Sequence, residues 1–505
     1  MAPKFPDLHE WIRLSESFGF NLTPEKLQDM APIAEGIFSN YTRIDELPDE
    51  VFPVNFPRQD LGYRPLGDEN AHNGWAWKCT IKGAETGKLA GKRIGIKDNI
   101  AVAGMPMTNG TVLLAGYIPK EDATLVTRIL EAGGEIVGKT TVPSFCFDGA
   151  GMTNDFGYQP TNPHNEKYTP GGSSSGSAIT LHTGEADITI GGDNGGSIRI
   201  PSSWSGTYGI KPTFGLVPMT GGFSIEMTTE HFGPMALTVE GCALMLEVIA
   251  GADGYDPRQS RDIVAEGYLS ALTNDIKGLR IGIVKEGFGR AGMSETDVDE
   301  TVLTAARRFA KIGAIVEEVS IPMHLDGNAI WGAINIEGGT YKMVTGDGVG
   351  TNWRGHYAAD MADLYGSTRR ARPQDYPDTV KLVAMIGRYM SERYNHYYYA
   401  KGQNLSRRLR AAYDDALAKY DVLVMPTTPM KAQPFPEDDS MASYFSTTLG
   451  MLANVDPFNV SGHPAMNVPC GKSNGLPVGM QIIGKHFDEG TVFKVAHAYE
   501  QNFGE

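Results

Sequence analysis

Apolar positions along this chain recur with two different periods. Short β-branched runs alternate with stretches in which apolar residues return every three or four positions. KRIGIKDNI, DATLVTRILEAGG and EIVGKTTV follow one another in this way and predict a strand, a helix and a parallel strand. LRIGIVKE, SETDVDETVLTAARRFAKIG and AIVEEVSIP repeat the pattern as a second βαβ unit, and YDVLVMPTTP, PAMNVPCG and PVGMQIIG read as further strands. The fold class expected is α/β, a large mixed, mostly parallel β-sheet covered by helices on both faces.

Before Gly91 the texture differs. Residues Pro6 to Leu47 carry helix-period patterning, with Thr23 as N-cap, Pro24 at the first helical position and Glu25 near the positive helix end. From Val51 to Asn73 the composition shifts to Pro, Gly, Asp and Asn, as in a linker. Three regions are expected: 1–73, an N-terminal helical region and linker; 74–505, the main α/β domain; and 324–411 within it, where the strand–helix rhythm is lost, an inserted small helical subdomain or lid.

Composition narrows the function classes. With 41% hydrophobic and 21% charged residues the chain has the make-up of a soluble enzyme. A net charge of -16 leaves no global basic surface for a polyanion, so no nucleic-acid partner is expected. Cys79, Cys146, Cys242 and Cys470 are scattered without a C-x-x-C pair, which argues against a disulfide framework and structural zinc and fits reduced thiols in the cytoplasm. The opening MAPKFPDLHEWIRLSESFGF breaks its apolar residues with Pro, Asp, Glu and Arg, so neither a signal peptide nor a membrane partner is expected. His, Asp and Glu clusters with metal-ligand spacing are absent from the sequence, and no metal or organic cofactor is expected.

Three segments could carry chemistry. GFGRAG, from Gly287 to Gly292, follows a strand and precedes a helix, as a dinucleotide fingerprint would in a nucleotide-linked oxidoreductase. The first turn that follows is crowded with Glu295, Asp297, Asp299 and Glu300, which would repel a pyrophosphate, so a plain strand-to-helix connection is the stronger reading. Gly172-Ser173-Ser174-Ser175-Gly176 fits G-x-S-x-G, the nucleophile elbow, yet HNEKYTP before it reads as loop and not as strand. Lys97 closes the apolar strand RIGIK. Its amine either snorkels to solvent, the commoner fate, or turns into the fold, where desolvation favours the neutral form that can accept a proton.

These last two segments belong together in one resemblance. KDN after the strand, TPGGSSSGSA, GGDNGGSIRIPSSWSGTYGIKPTFGLVP, and GHPAMNVPCG followed by LPVGMQIIG are similar to the motifs of the amidase signature family, from about Trp75 to the C-terminus. The resemblance implies a Ser-cisSer-Lys triad: Lys97 as base, Ser173 as bridging serine with a cis Gly172–Ser173 peptide, and Ser197 as nucleophile. It implies an acyl-enzyme on Ser197, with the turn Asn194-Gly195-Gly196-Ser197 offering backbone N–H groups to the oxyanion. Asp193 and Arg199 flank that turn as an orienting pair, and Ser174 supports the relay. Phe145, Phe147 and Met152, just upstream of the serine turn, are candidates for the substrate wall; a core role for the two phenylalanines stands at even odds.

The implied activity is hydrolysis of small aliphatic or aromatic carboxylic amides by a stand-alone enzyme, with the amide and water as small-molecule partners. Two neighbouring activities stay open: a urethanase cleaving alkyl carbamates such as ethyl carbamate by the same mechanism, and the amidase-like component of a tRNA-dependent amidotransferase. The apolar face of the N-terminal helices, a region the family uses for dimer contacts, implies a homodimer. The chain departs from the usual family pattern at Ser175, Trp204 and Ser205, which bears on the pocket wall and loop rigidity.

Overall fold

The computed structural model describes residues 3–58, 60–438, 440–448 and 450–504. The chain divides into two compact units, Met1–Pro53 and Val54–Glu505.

The first unit is a pair of helices, α1 (Leu8–Ser17) and α2 (Pro24–Asp45). Asp7 caps α1 by accepting from Glu10 N at 2.9 Å, and Thr23 caps α2 by accepting from Lys26 N at 3.3 Å, with Pro24 at the first helical position as its fixed φ favours. Ser15 Oγ accepts from Leu22 N at 2.8 Å and holds the chain between them. Phe5 packs edge-on against Phe38 on the inner side. The outer side of α2 carries Ile33, Ile37, Tyr41 and Ile44 at helical spacing, each between 58% and 69% exposed.

The second unit is built on one twelve-stranded sheet, in the order β1-β2-β4-β3-β5-β7-β6-β11-β12-β10-β8-β9. In chain order the strands are β1 (Asp60–Tyr63), β2 (Trp75–Lys82), β3 (Arg93–Lys97), β4 (Glu135–Thr140), β5 (Ile188–Asp193), β6 (Tyr208–Lys211), β7 (His231–Ala236), β8 (Arg280–Val284), β9 (Ile315–Val319), β10 (Val422–Pro426), β11 (Ala465–Ser473) and β12 (Leu476–Ile483). The helices are α3 (Thr124–Glu131), α4 (Ser175–His182), α5 (Arg199–Ser205), α6 (Val239–Ile249), α7 (Thr296–Arg308), α8 (Gly327–Gly339), α9 (Ala359–Ala371), α10 (Asp378–Tyr394), α11 (Tyr397–Leu417), α12 (Met441–Thr448), α13 (Asp456–Ser461) and α14 (Glu489–Phe503). The α/β class and the large mixed sheet are as expected, and both βαβ units form, as β3-α3-β4 and β8-α7-β9, each with parallel partners side by side.

Parallel pairing does not predominate within that sheet, contrary to the sequence reading. It is confined to β4-β3-β5 and to β10-β8-β9, and the other neighbours run antiparallel. The physical reason is visible at β11–β12. Asn474 (φ 52°) and Gly475 (φ 81°) form a two-residue turn with both residues in the left-handed region, which returns the chain at once as a hairpin. The segment before Asn73 also differs from a linker: the unit boundary falls at Pro53, and β1 pairs antiparallel with β2 at the sheet edge, because its backbone groups find partners there.

Strand alternation sorts the core into two layers. Val422 and Val424 of β10 join the cluster of α3, α6, α7 and α14, whereas Leu423 and Met425 join Ile330, Ile334, Leu409 and Tyr413 of α8 and α11. The stretch 324–411 is helical, from α8 into α11, and α8 and α11 pack on the second face. Among the described residues no helix is long and apolar enough to cross a membrane. Ile281 of β8 is fully buried, and Ile281→Ala is expected to lower the free energy of unfolding by about 2–5 kcal/mol, read by chemical denaturation.

Candidate active site

Strands β3 and β5 pair in parallel, with Ile96 opposite Ile190, and so bring Lys97 at the end of β3 beside Gly192 near the end of β5. Lys97 is buried and does not reach solvent. Its Nζ donates to Gly192 O at 3.0 Å and lies at hydrogen-bonding distance, 2.8 Å, from Ser173 Oγ. The acid next to it is engaged elsewhere: Asp98 accepts from Lys139 Nζ at 3.0 Å and from Thr108 N at 3.0 Å. Lys97 therefore keeps a neutral hydroxyl and a carbonyl as its hydrogen-bond partners.

Ser173 is buried, and the Gly172–Ser173 peptide is cis. The neighbouring serines are fasteners. Ser174 Oγ spans to Gly192, donating to its carbonyl and accepting from its N–H, both at 3.2 Å; Ser175 Oγ donates to Gly171 O at 2.8 Å; Ser177 Oγ donates to Ile190 O at 3.1 Å. Ser174 is fully buried, so the elbow reading of G-x-S-x-G fails on access. The residues that depart from the family pattern are fasteners too: Trp204 Nε1 donates to Met430 O at 3.1 Å and Ser205 Oγ to Pro170 O at 2.9 Å.

The turn after β5 is fixed by a buried charge. Asp193 accepts from Gly196 N (2.8 Å), Ile198 N (3.1 Å), Asn459 Nδ2 (2.8 Å) and both Nε and Nη2 of Arg199 (3.0 and 2.9 Å). Burial works against the Asp193 carboxylate, but Arg199 beside it and these hydrogen bonds outweigh burial and hold it well below the usual carboxylate range. Glycine is required at two points of the turn. A Cβ on Gly195 would lie 2.7 Å from the Trp331 ring, and Gly196 sits at φ 114° with a would-be Cβ 2.4 Å from Val455 Cγ2.

Ser197, half-buried, lines a cavity of about 380 Å³. Its carbonyl accepts from Ser174 N at 3.1 Å, while its hydroxyl has no hydrogen-bond partner among the described residues. Of the four amides expected to face an oxyanion, that of Gly196 is already given to Asp193 and is removed from the set. The N–H groups of Gly195 and Ser197 have no acceptor among the described residues. Asn194 contributes its side chain to the frame: Nδ2 donates to Thr229 Oγ1 and Glu230 Oε2, each at 3.1 Å.

Two of the three expected wall residues are elsewhere. Phe145 is fully buried and stacks on Tyr376 with ring centroids 5.4 Å apart, and Met152 packs on the Ile200–Trp204 cluster; their side chains face core because Asp148 gathers the N–H groups of residues 150–153 and folds the segment into a compact loop. Phe147 does line the cavity. The remaining wall comes from parts of the chain with no chemical motif: Trp331 and Ile336 of α8, Val383 of α10, and Tyr444 and Phe445 of α12. Trp331 Nε1 also donates to Asn194 O at 2.9 Å, joining wall to turn.

GFGRAG serves no phosphate. Gly289 N donates to Asp299 Oδ2 at 2.8 Å and Arg290 N to Ser294 Oγ at 3.0 Å, so two of the loop's donors are taken by Ser294 and by an acid of the helix that follows, which occupies the place of the anion.

The amidase family profile matches residues 69–493. The chain belongs to the amidase signature family. An enantioselective amidase from Rhodococcus rhodochrous is 42% identical over 505 residues, 99% of this chain and 96% of that protein. Among solved structures, a glutamyl-tRNA(Gln) amidotransferase component from Thermotoga maritima superposes with a TM-score of 0.70 at 28% identity, covering 86% of this chain and 88% of that one. A bacterial aryl acylamidase of the same family gives 0.69 at 26% identity, covering 83% and 84%. This amidase is thus a hydrolase of C–N amide bonds with the fold of its family, which overturns the oxidoreductase alternative.

One group behind the turn is expected to make the stability of this amidase depend on pH. Burial pushes the Glu230 carboxyl up to about 7, with the nearby Lys97 opposing. A carboxyl whose folded pKa is raised stabilises the fold below its unfolded value and loses that contribution as pH rises through about 7. Glu230→Gln is expected to match the wild type in thermal melts at about pH 4.5 and to exceed it at about pH 8.5, by up to roughly 3 kcal/mol.

Proposed function

We propose that this chain is a stand-alone amidase that hydrolyses small aliphatic or aromatic carboxylic amides through an acyl-enzyme on Ser197. The observation that carries the reading is the 2.8 Å bond from Lys97 Nζ to Ser173 Oγ, next to a turn that presents the unshared Ser197 hydroxyl to an aromatic-lined cavity. The enantioselective amidase matched almost end to end, N-terminal helices included, supports independent action.

In this mechanism Ser197 Oγ attacks the amide carbonyl carbon and gives its proton to Ser173, which passes its own to the lone pair of neutral Lys97. Gly192 O receives one of the amine's N–H groups and so orients that lone pair toward Ser173. The N–H groups of Gly195 and Ser197 stabilise the oxyanion. The relay returns the proton to the departing nitrogen as the C–N bond breaks, and water activated along the same path then releases the acid. Trp331, Tyr444 and Phe445 shape an uncharged, partly apolar acyl site.

Ser197→Ala is expected to lower kcat/KM by roughly 10⁴-fold or more and to abolish the intact-mass adduct with a fluorophosphonate; an adduct retained by that variant overturns the assignment. Lys97→Ala should lose activity by about 10²–10⁴-fold with an unchanged far-UV spectrum. Ammonia release from acetamide, benzamide and ethyl carbamate, with amine release from an anilide, by the purified single chain tests the substrate class. Turnover of the carbamate alone would transfer the reading to a urethanase, and inactivity on all free amides would favour a component of an amidotransferase.

The chain acts as a homodimer through the exposed stripe Ile33, Ile37, Tyr41 and Ile44 on α2. Ile37→Glu is expected to convert a dimer into a monomer in sedimentation velocity; a monomeric wild type rejects the interface.

A further inference from the structure

Away from the cavity, three side chains from separate segments converge: Asp414 on α11, His463 between α13 and β11, and His486 between β12 and α14. Asp414 Oδ1 lies 3.0 Å from His463 Nε2 and 3.6 Å from His486 Nδ1, and the three ligand atoms all fall within 4.8 Å of one another. The two imidazole rings are 4.0 Å apart between centroids. The opposite nitrogens of both rings turn to a single residue: His463 Nδ1 is 3.0 Å from Ser461 Oγ, and His486 Nε2 is 3.1 Å from Ser461 O.

This outer arrangement decides the chemistry of the inner one. A carbonyl oxygen only accepts, so His486 Nε2 carries a hydrogen, and in the neutral ring Nδ1 is a bare lone pair aimed at a carboxylate. A bare ring nitrogen and a carboxylate oxygen 3.6 Å apart repel unless a proton or a metal ion lies between them. His463 Nε2, 3.0 Å from the same carboxylate oxygen, donates to it while Ser461 Oγ–H is given to Nδ1; with the ring hydrogen moved to Nδ1, where Ser461 Oγ accepts it, Nε2 offers a second lone pair to a metal ion. Histidines whose far nitrogens are fixed by protein oxygens are the usual supports of a bound transition metal. The other histidine–carboxylate contacts, His72–Glu166 and His497–Glu500 for instance, lack the third converging group among the described residues.

We propose that Asp414, His463 and His486 form a binding site for one divalent transition-metal ion of the zinc type. Two imidazole nitrogens and one carboxylate oxygen suit zinc or cobalt, and they leave an open position toward solvent, because Asp414 is half exposed. His463 is fully buried and gives the site a rigid floor. Arg410, whose Nε donates to Ser461 O at 2.9 Å, and Lys211, whose charge reaches His463, are the cations nearby, and they keep the affinity below that of a closed structural site. An ion there ties α11 to the segment that follows α13, the helix whose Asn459 holds Asp193.

The test uses the full chain, stripped with chelator. Equilibrium dialysis with zinc is expected to give one ion per chain, and cobalt(II) to give the visible d–d bands of a low-coordinate nitrogen–oxygen site. Asp414→Asn and His486→Gln, both at solvent-accessible positions, should each weaken zinc binding by about ten-fold or more and erase the cobalt bands, with unchanged melting in the absence of metal. A wild type that binds no zinc, or both variants binding it with wild-type stoichiometry and affinity, overturns the site.

Discussion

The buried Asp193–Arg199 pair is the constraint on which the rest of this amidase is arranged. An ion pair without access to water is tolerated only when every remaining lone pair and proton has a partner, and removing one member leaves a charge costing about 3–5 kcal/mol. Here the partners of the pair come from three places: the turn itself through Gly196 and Ile198, α13 through Asn459, and β12 through Gln481, whose Oε1 accepts from Arg199 Nη1 at 3.3 Å. Segments far apart in sequence are thereby locked around the residues that precede Ser197. The turn's shape is set by electrostatics, and its glycines merely permit it.

The second constraint is parallel pairing. Because β3 and β5 lie side by side in the same direction, the lysine that ends one strand and the glycine-rich turn that ends the other emerge at the same edge of the sheet. The serine loop is then laid over this edge and fastened by Ser174, Ser175, Ser205 and the backbone bond from Ser174 N to Ser197 O. Most hydroxyls in this serine-rich stretch are thus spent on architecture, and Ser197 is the one left facing the cavity without a partner among the described residues.

What is legible in the sequence follows from local rules. The period-2 runs mark β3, β4, β8, β9 and β10 to β12, and capping at Thr23 marks the start of α2, since these depend on neighbours within a few residues. The lysine and the two serine turns are legible through their motifs. Pairing direction in the centre of the sheet is not, because it depends on which distant strand lies alongside: β7 and β6 carry no local mark of running antiparallel, whereas the Asn474-Gly475 turn marks β11 and β12 as a hairpin. The wall is the least legible part. Trp331, Val383 and Tyr444 reach the cavity from helices whose patterning reports only that they are helices, and Phe145 reads as a wall residue because composition cannot tell which side of a compact loop a side chain takes. The convergence of Asp414, His463 and His486 is of the same kind, invisible to spacing because three separate elements supply one group each.

Trp331 illustrates what such a design does to the protein's capacity for change. Its indole is a wall of the cavity that Ser197 lines and, through Nε1, the tether of Asn194 O, while its ring is what forbids a side chain at Gly195. A smaller residue there would enlarge the cavity and in the same stroke release the turn that carries Ser197. Cavity size and turn geometry are coupled at that position, so on the proposed mechanism divergence toward larger acyl groups has a freer path through Tyr444, Phe445 and Val383, which line the same space without holding the turn by a hydrogen bond.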